Sequence, residues 1–188
     1  MKERKKIRLV QAIIGAVVLT LLMQVMVLVG YPQFIWMLFL PMLLFFALGA
    51  DFKIIPSMIV CYICGVLWSM VNGLMMSLFG MISSNMFVSN LLPTILVIFL
   101  ILTVHDNLLE GTFFGNIPCI FLGLSTSFFV SFMKIDITPL HLIAFFLYGL
   151  VLTVCLVLSG TLVCGAIFGK ERAMKAIMPL PPKQKDAK

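Results

Sequence analysis

Residues 55–80 read IPSMIVCYICGVLWSMVNGLMMSLFG, 26 positions without one charged side chain. At 1.5 Å per residue, a helix of this length reaches about 39 Å. That exceeds the roughly 30 Å hydrocarbon core of a bilayer. Nothing in the run alternates with the period of a half-buried strand, and its length is beyond that of an ordinary core helix. The stretch reads as a transmembrane helix.

Working outward, the same texture recurs at 9–30, 33–50, 87–104, 111–133 and 139–168. Between Leu9 and Gly169 the chain has six charged residues: Asp51, Lys53, Asp106, Glu110, Lys134 and Asp136. Every one falls in a short break between apolar runs. The whole chain is 62% hydrophobic and 11% charged, against about 25% charged in soluble domains. The sequence predicts an all-α, polytopic membrane helix bundle of six transmembrane helices spanning residues 9–169. Short loops make sequential helices antiparallel neighbours.

The formal net charge of +6 raises nucleic-acid binding, but its distribution argues against it. Basic residues gather in residues 1–8 and 170–188, and only Lys53 and Lys134 lie between. Basic flanks on the outermost spans put both termini in the cytoplasm and bring the tails to anionic lipid head groups. The expected partner is therefore the lipid bilayer, and no nucleic acid. The first apolar run is longer than a signal-peptide core and has no small-x-small site, so it reads as an uncleaved helix.

A faint internal repeat is visible. Leu40-Pro41 leads through Asp51 and Pro56 to Cys64-Gly65-Val66; Ile117-Pro118 leads through Asp136 and Pro139 to Tyr148-Gly149-Leu150. Three spans per unit give a 3+3 inverted repeat, as in many transporters.

Polar residues within the spans are the candidates for chemistry. Pro118 lacks an N–H and is expected to kink the fifth span, leaving Asn116 beside the break with donors and acceptors free. Asn72 and Trp68 lie in the middle of the third span, and Ser125, Thr126 and Ser127 follow in the fifth. Together these seven residues form the expected substrate path. Gln11, Gln24 and Asn90 read as interhelical glue. Gly111 with Gly115, and Gly165 with Gly169, have the G-x-x-x-G spacing of close helix packing, within one chain or in a homo-oligomer. Cys61 and Cys64 form a C-x-x-C pair, but on an apolar helix they read as small buried side chains. His105, Asp106 and Glu110 are expected in a solvated cytoplasmic turn, and His141 at the outer interface. No catalytic set, cofactor or metal site is expected, and the chain does not read as an enzyme.

Two stretches resemble a known family. Gly65-Val66-Leu67-Trp68-Ser69-Met70-Val71 and Gly111-Thr112-Phe113-Phe114-Gly115 are similar to motifs of the bacterial Domain of Unknown Function 1097 family. The resemblance extends loosely over residues 9–170; the longer basic ends and the Asn116-Ile117-Pro118 step depart from it. It implies a small multi-span protein of the bacterial inner membrane and carries no substrate. The residues themselves read as a channel or permease for a small uncharged solute. A non-transporting membrane scaffold or accessory subunit is the alternative.

Overall fold

A computed structural model describes residues 2–169. The tail expected at 170–188 lies outside the described residues. Among the described residues every regular element is helical. These are α1 (Lys2–Leu28), α2 (Ile35–Ala47), α3 (Ile55–Ile82), α4 (Leu92–Ile101), α5 (Ile117–Phe132) and α6 (Pro139–Phe168). Short 3-10 turns, Pro32–Phe34 and Phe52–Ile54, lead into α2 and α3. The α4 helix is continued at both ends by π-helical turns, Phe87–Leu91 and Leu102–Leu108. The protein is an all-α membrane bundle.

Four helical stretches are long and apolar enough to cross a bilayer: Arg4–Leu28, Phe52–Ile82, Phe87–Leu108 and Pro139–Phe168. The other two, Pro32–Ala47 and Ile117–Phe132, are shorter apolar helices. The 16 residues of α5 rise about 24 Å, short of a full hydrocarbon core.

Helix ends follow local chemistry. The α1 helix closes where Tyr31 N–H bonds the Met26 carbonyl at 2.8 Å and Gly30 N–H bonds Val27 at 3.1 Å. This paired closure needs a left-handed residue, and Gly30 supplies it at φ +87° without steric cost. The α5 helix ends in the same pattern, through Ile135 to Val130 and Lys134 to Ser131, both 3.1 Å. There Lys134 occupies the left-handed position at φ +53°. Pro93 stands at the start of α4, where its ring crowds the carbonyl of the preceding turn. The wider π turn before it relieves that crowding.

Two sequence expectations are corrected here. The fifth span does not begin at Gly111: residues 109–116 form a non-helical connection, and the helix starts at Ile117. Pro118 therefore sits in the first turn, where a missing N–H costs nothing, and produces no mid-helix kink. Gly111 and Gly115 lie in the connection and are not on a helix face. His105-Asp106-Asn107 is also not a loop, because α4 continues through it as a π-helical turn to Leu108.

The described backbone groups into two compact units, one of residues 36–150 and one made of residues 2–35 with 151–169. In the second unit, Gly15 lies under Leu156 and Gly160 under Gln11, where an added Cβ would meet side-chain atoms at 3.0 and 3.2 Å. Ile7 and Cys164 are buried together there. In the 36–150 unit, α3 and α5 cross at Gly65 and Gly123. A Cβ on Gly65 would strike the Ile120 carbonyl, and one on Gly123 would strike that of Tyr62. Neither obstacle is a movable side chain, so the crossing requires both glycines. Gly149 on α6 packs in the same way against Leu38 and Pro41 of α2.

Candidate functional site: a neutral cavity around Asn72

The α3–α5 crossing fixes what lies beside it. On one side of Gly65, α3 carries Cys61 and Ser57 toward the 109–116 connection. Ser57 Oγ donates to the Phe113 carbonyl at 2.8 Å, and the Cys61 thiol donates to the same oxygen at 3.2 Å. The neighbouring Phe114 carbonyl accepts from Nδ1 of His105 at 2.8 Å. His105 is 4% exposed and its Nε2 accepts the indole N–H of Trp68 at 3.0 Å. Non-helical backbone in a membrane protein must find partners inside the protein, and these three side chains provide them. Asn116 closes the segment as the N-cap of α5, accepting from the Cys119 N–H at 3.4 Å.

On the other side of Gly65 the bundle opens. Where α3 and α5 end and α4 and α6 begin lies a cavity of about 700 Å³. Ser69, Asn72 and Met76 of α3 face Ser127, Phe128 and Val130 of α5, with Thr94 and Leu142 contributing from α4 and α6. Ile135 and Ile137 line it from the α5–α6 connection, and Pro139 from the start of α6. No lining residue is acidic, basic or histidine.

Asn72 is the distinctive member. It is 3% exposed. Its Nδ2 donates to the Met76 sulfur at 3.2 Å, and its Oδ1 has no hydrogen-bond partner among the described residues. A thioether sulfur only accepts, which orients the amide with nitrogen toward Met76. A buried acceptor without a partner costs about 1–3 kcal/mol. The structure bears that cost at the one buried amide lining the cavity.

The residues expected along a substrate path are thus divided by the fold. Asn72 and Ser127 line the cavity. Trp68 is half-buried one residue before the lining Ser69, tied to His105. Thr126 is buried between α5 and α3, where its hydroxyl meets that of Tyr62 at 2.9 Å, and Ser125 is exposed. Asn116 caps α5 at its opposite end, and Pro118 stands in the first turn there. Of the glycines expected in packing motifs, Gly165 is half-buried on α6 and Gly169 is exposed at its end, at φ +86°. Gln24 and Asn90 are exposed, and Gln11 is half-buried. His141 is half-buried; its Nδ1 contacts the Thr138 hydroxyl at 2.7 Å.

Sequence reasoning missed His105 as a structural residue and Ser69 and Thr94 as cavity residues. Acidic neighbours disguised the first, while ordinary helical serines and threonines carry no positional signal. Cys61 and Cys64 share α3, and no group of three His, Cys, Asp or Glu assembles among the described residues.

Residues 9–175 match the family described as protein of unknown function (DUF1097), and the chain belongs to that family. No curated protein and no solved structure matches it. The two stretches that carry the sequence resemblance meet in space, through Trp68 of the first, His105, and the Phe114 carbonyl of the second.

Proposed function

We propose that this member of the family is a permease for a small uncharged solute, with its binding site at Asn72. The observation that carries the reading is a buried amide with an unused carbonyl, set on a cavity of about 700 Å³ without a charged lining residue. That volume falls in the usual range for small-molecule sites, and a few placed polar groups on an apolar wall are their usual chemistry. Selectivity then rests on shape and hydrogen bonding rather than charge.

We read the faint internal repeat of the sequence in favour of movement between two states rather than a fixed pore. Tyr62 and Phe146 stand three residues before Gly65 and Gly149, the positions that the repeat aligns. Their rings stack on one another at 3.9 Å and 7°, as expected of counterparts lying on a pseudo-two-fold axis. Gly65 of α3 packs on α5, while Gly149 of α6 packs on α2, the exchange that such an axis produces. Trp36 of α2 also meets Phe129 of α5, ring centroids 5.3 Å apart. Inverted repeats of this kind support alternating access by rocking.

With both termini cytoplasmic, as the basic ends favour, the cavity faces outward in a bacterial inner membrane. The 109–116 connection and the Trp68–His105 contact then lie on the cytoplasmic side of it. The test is solute flux into proteoliposomes, using small neutral solutes and the variants Asn72→Leu, Ser127→Ala and, as a control, exposed Ser125→Ala. The reading expects flux above protein-free vesicles, reduced about tenfold in Asn72→Leu and unchanged in Ser125→Ala. A folded protein that passes none of the solutes, and is recovered with a reproducible membrane partner, would instead establish the scaffold role.

A further inference from the structure

Three hydroxyls lining the Asn72 cavity have already committed their protons. The Asn72 amide gives one of its two N–H groups to the Met76 sulfur. Ser69 Oγ donates to the Val66 carbonyl at 2.7 Å, Ser127 Oγ to Gly123 at 2.8 Å, and Thr94 Oγ1 to Asn90 at 2.9 Å. A hydroxyl has one proton, so these three hydroxyls turn only lone pairs to the cavity. Ser131, the remaining hydroxyl on the wall, is exposed at the rim, where water competes for it.

We infer that the cavity selects neutral ligands that donate hydrogen bonds, with an N–H or O–H head aimed at Asn72 Oδ1 and an apolar body. The inference rests on the reading of this cavity as a binding site and adds the class of ligand. A ligand offering only acceptors sets its lone pairs against those of the three hydroxyls and leaves the Asn72 carbonyl unpaired. A cation loses its hydration shell with no carboxylate in the lining, a cost of several kcal/mol per ion. A neutral donor meets neither penalty and relieves the buried carbonyl of its own. Met70, Met76, Phe128 and Leu142 supply the apolar wall for the rest of the molecule. The rule that a site built for a donor rejects the analogue lacking it applies here.

The experiment uses full-length protein in lipid nanodiscs and two fluorinated probes read by ¹⁹F NMR, with protein-free discs subtracting partition into lipid. The probes are 4-fluorobenzamide, which has two N–H donors, and its N,N-dimethyl form, which keeps the ring and carbonyl and has none. The expected result is about tenfold tighter binding of the primary amide. In Asn72→Leu the two affinities should come within about threefold of each other. Ser125→Ala, a change at an exposed residue outside the lining, should retain the preference. Equal affinities in the native protein, tighter binding of the dimethyl form, no binding of either probe, or a preference that survives Asn72→Leu would each overturn the inference. Flux is a separate readout. A native protein that discriminates the probes yet transports nothing loses the permease role and keeps the ligand class.

Discussion

The indole N–H of Trp68 donates to Nε2 of His105 across 3.0 Å, and that bond decides which nitrogen of the imidazole carries the proton. The Phe114 carbonyl at 2.8 Å from Nδ1 can only accept, so Nδ1 bears hydrogen and Nε2 presents its lone pair. The ring is neutral, buried and read from both sides by donors and acceptors that have no second choice.

Two measurements follow from this pair. The ¹⁵N spectrum of labelled histidine should show one ring as the Nδ1-protonated tautomer, and Trp68→Phe should shift it. In a double-mutant cycle, Trp68→Phe and His105→Ala should couple by about 1 kcal/mol. A coupling near zero would mean that the contact contributes nothing to holding the 109–116 connection.

Gly65→Ala and Gly123→Ala should each lower the thermal midpoint of the purified protein. An alanine gains about 1 kcal/mol of helix propensity over glycine, but here its Cβ meets carbonyl oxygens of the facing helix. Overpacking against backbone costs about 1–3 kcal/mol and wins. Gly73, with nothing within 4 Å of an added Cβ, is the control: Gly73→Ala should stabilise.

Asn72→Leu should separate stability from activity. Removing an unpartnered buried acceptor and replacing it with an apolar side chain of similar size should raise stability by about 1 kcal/mol, while flux and probe discrimination fall. A destabilised variant would show that the Asn72 carbonyl has a partner in the membrane.

Lys134→Gly should stabilise the end of α5 by about 1 kcal/mol. Lysine holds a left-handed conformation there, at φ +53°, and a side chain at such a position costs roughly 1–2 kcal/mol. Thermal unfolding in detergent checks it, and no gain would show that the lysine side chain offsets the strain.

Helix ends marked by residues with special backbone needs were legible in the sequence: Tyr31-Pro32, Asp51 before Lys53, Lys134 before Pro139. Hydropathy located the apolar runs because charge is excluded from them. It misplaced the start of α5 because Phe113 and Phe114 are as apolar as any helical residue, and hydropathy does not distinguish a buried helix from an anchored connection. A finer signal was present, since Asn116 followed by Pro118 is a cap with proline in the first turn. The burial of His105 had no such signal. It depends on a π turn, which leaves no mark in hydrophobic period. The Gly65–Gly123 crossing joins residues on two helices, and no spacing within either helix announces it. Asn72 was legible as a polar residue in an apolar run; the cavity beside it depends on where α5 ends.

The 109–116 connection is held by two main-chain oxygens, those of Phe113 and Phe114, while the rings attached to them are 62% and 43% exposed. Anchorage and side-chain identity are therefore uncoupled in this segment. The clasp formed by Ser57, Cys61 and His105 grips what every amino acid has in common, so it tolerates exchange of either phenylalanine. The two rings are left free to serve whatever surrounds the protein on this side of the bundle.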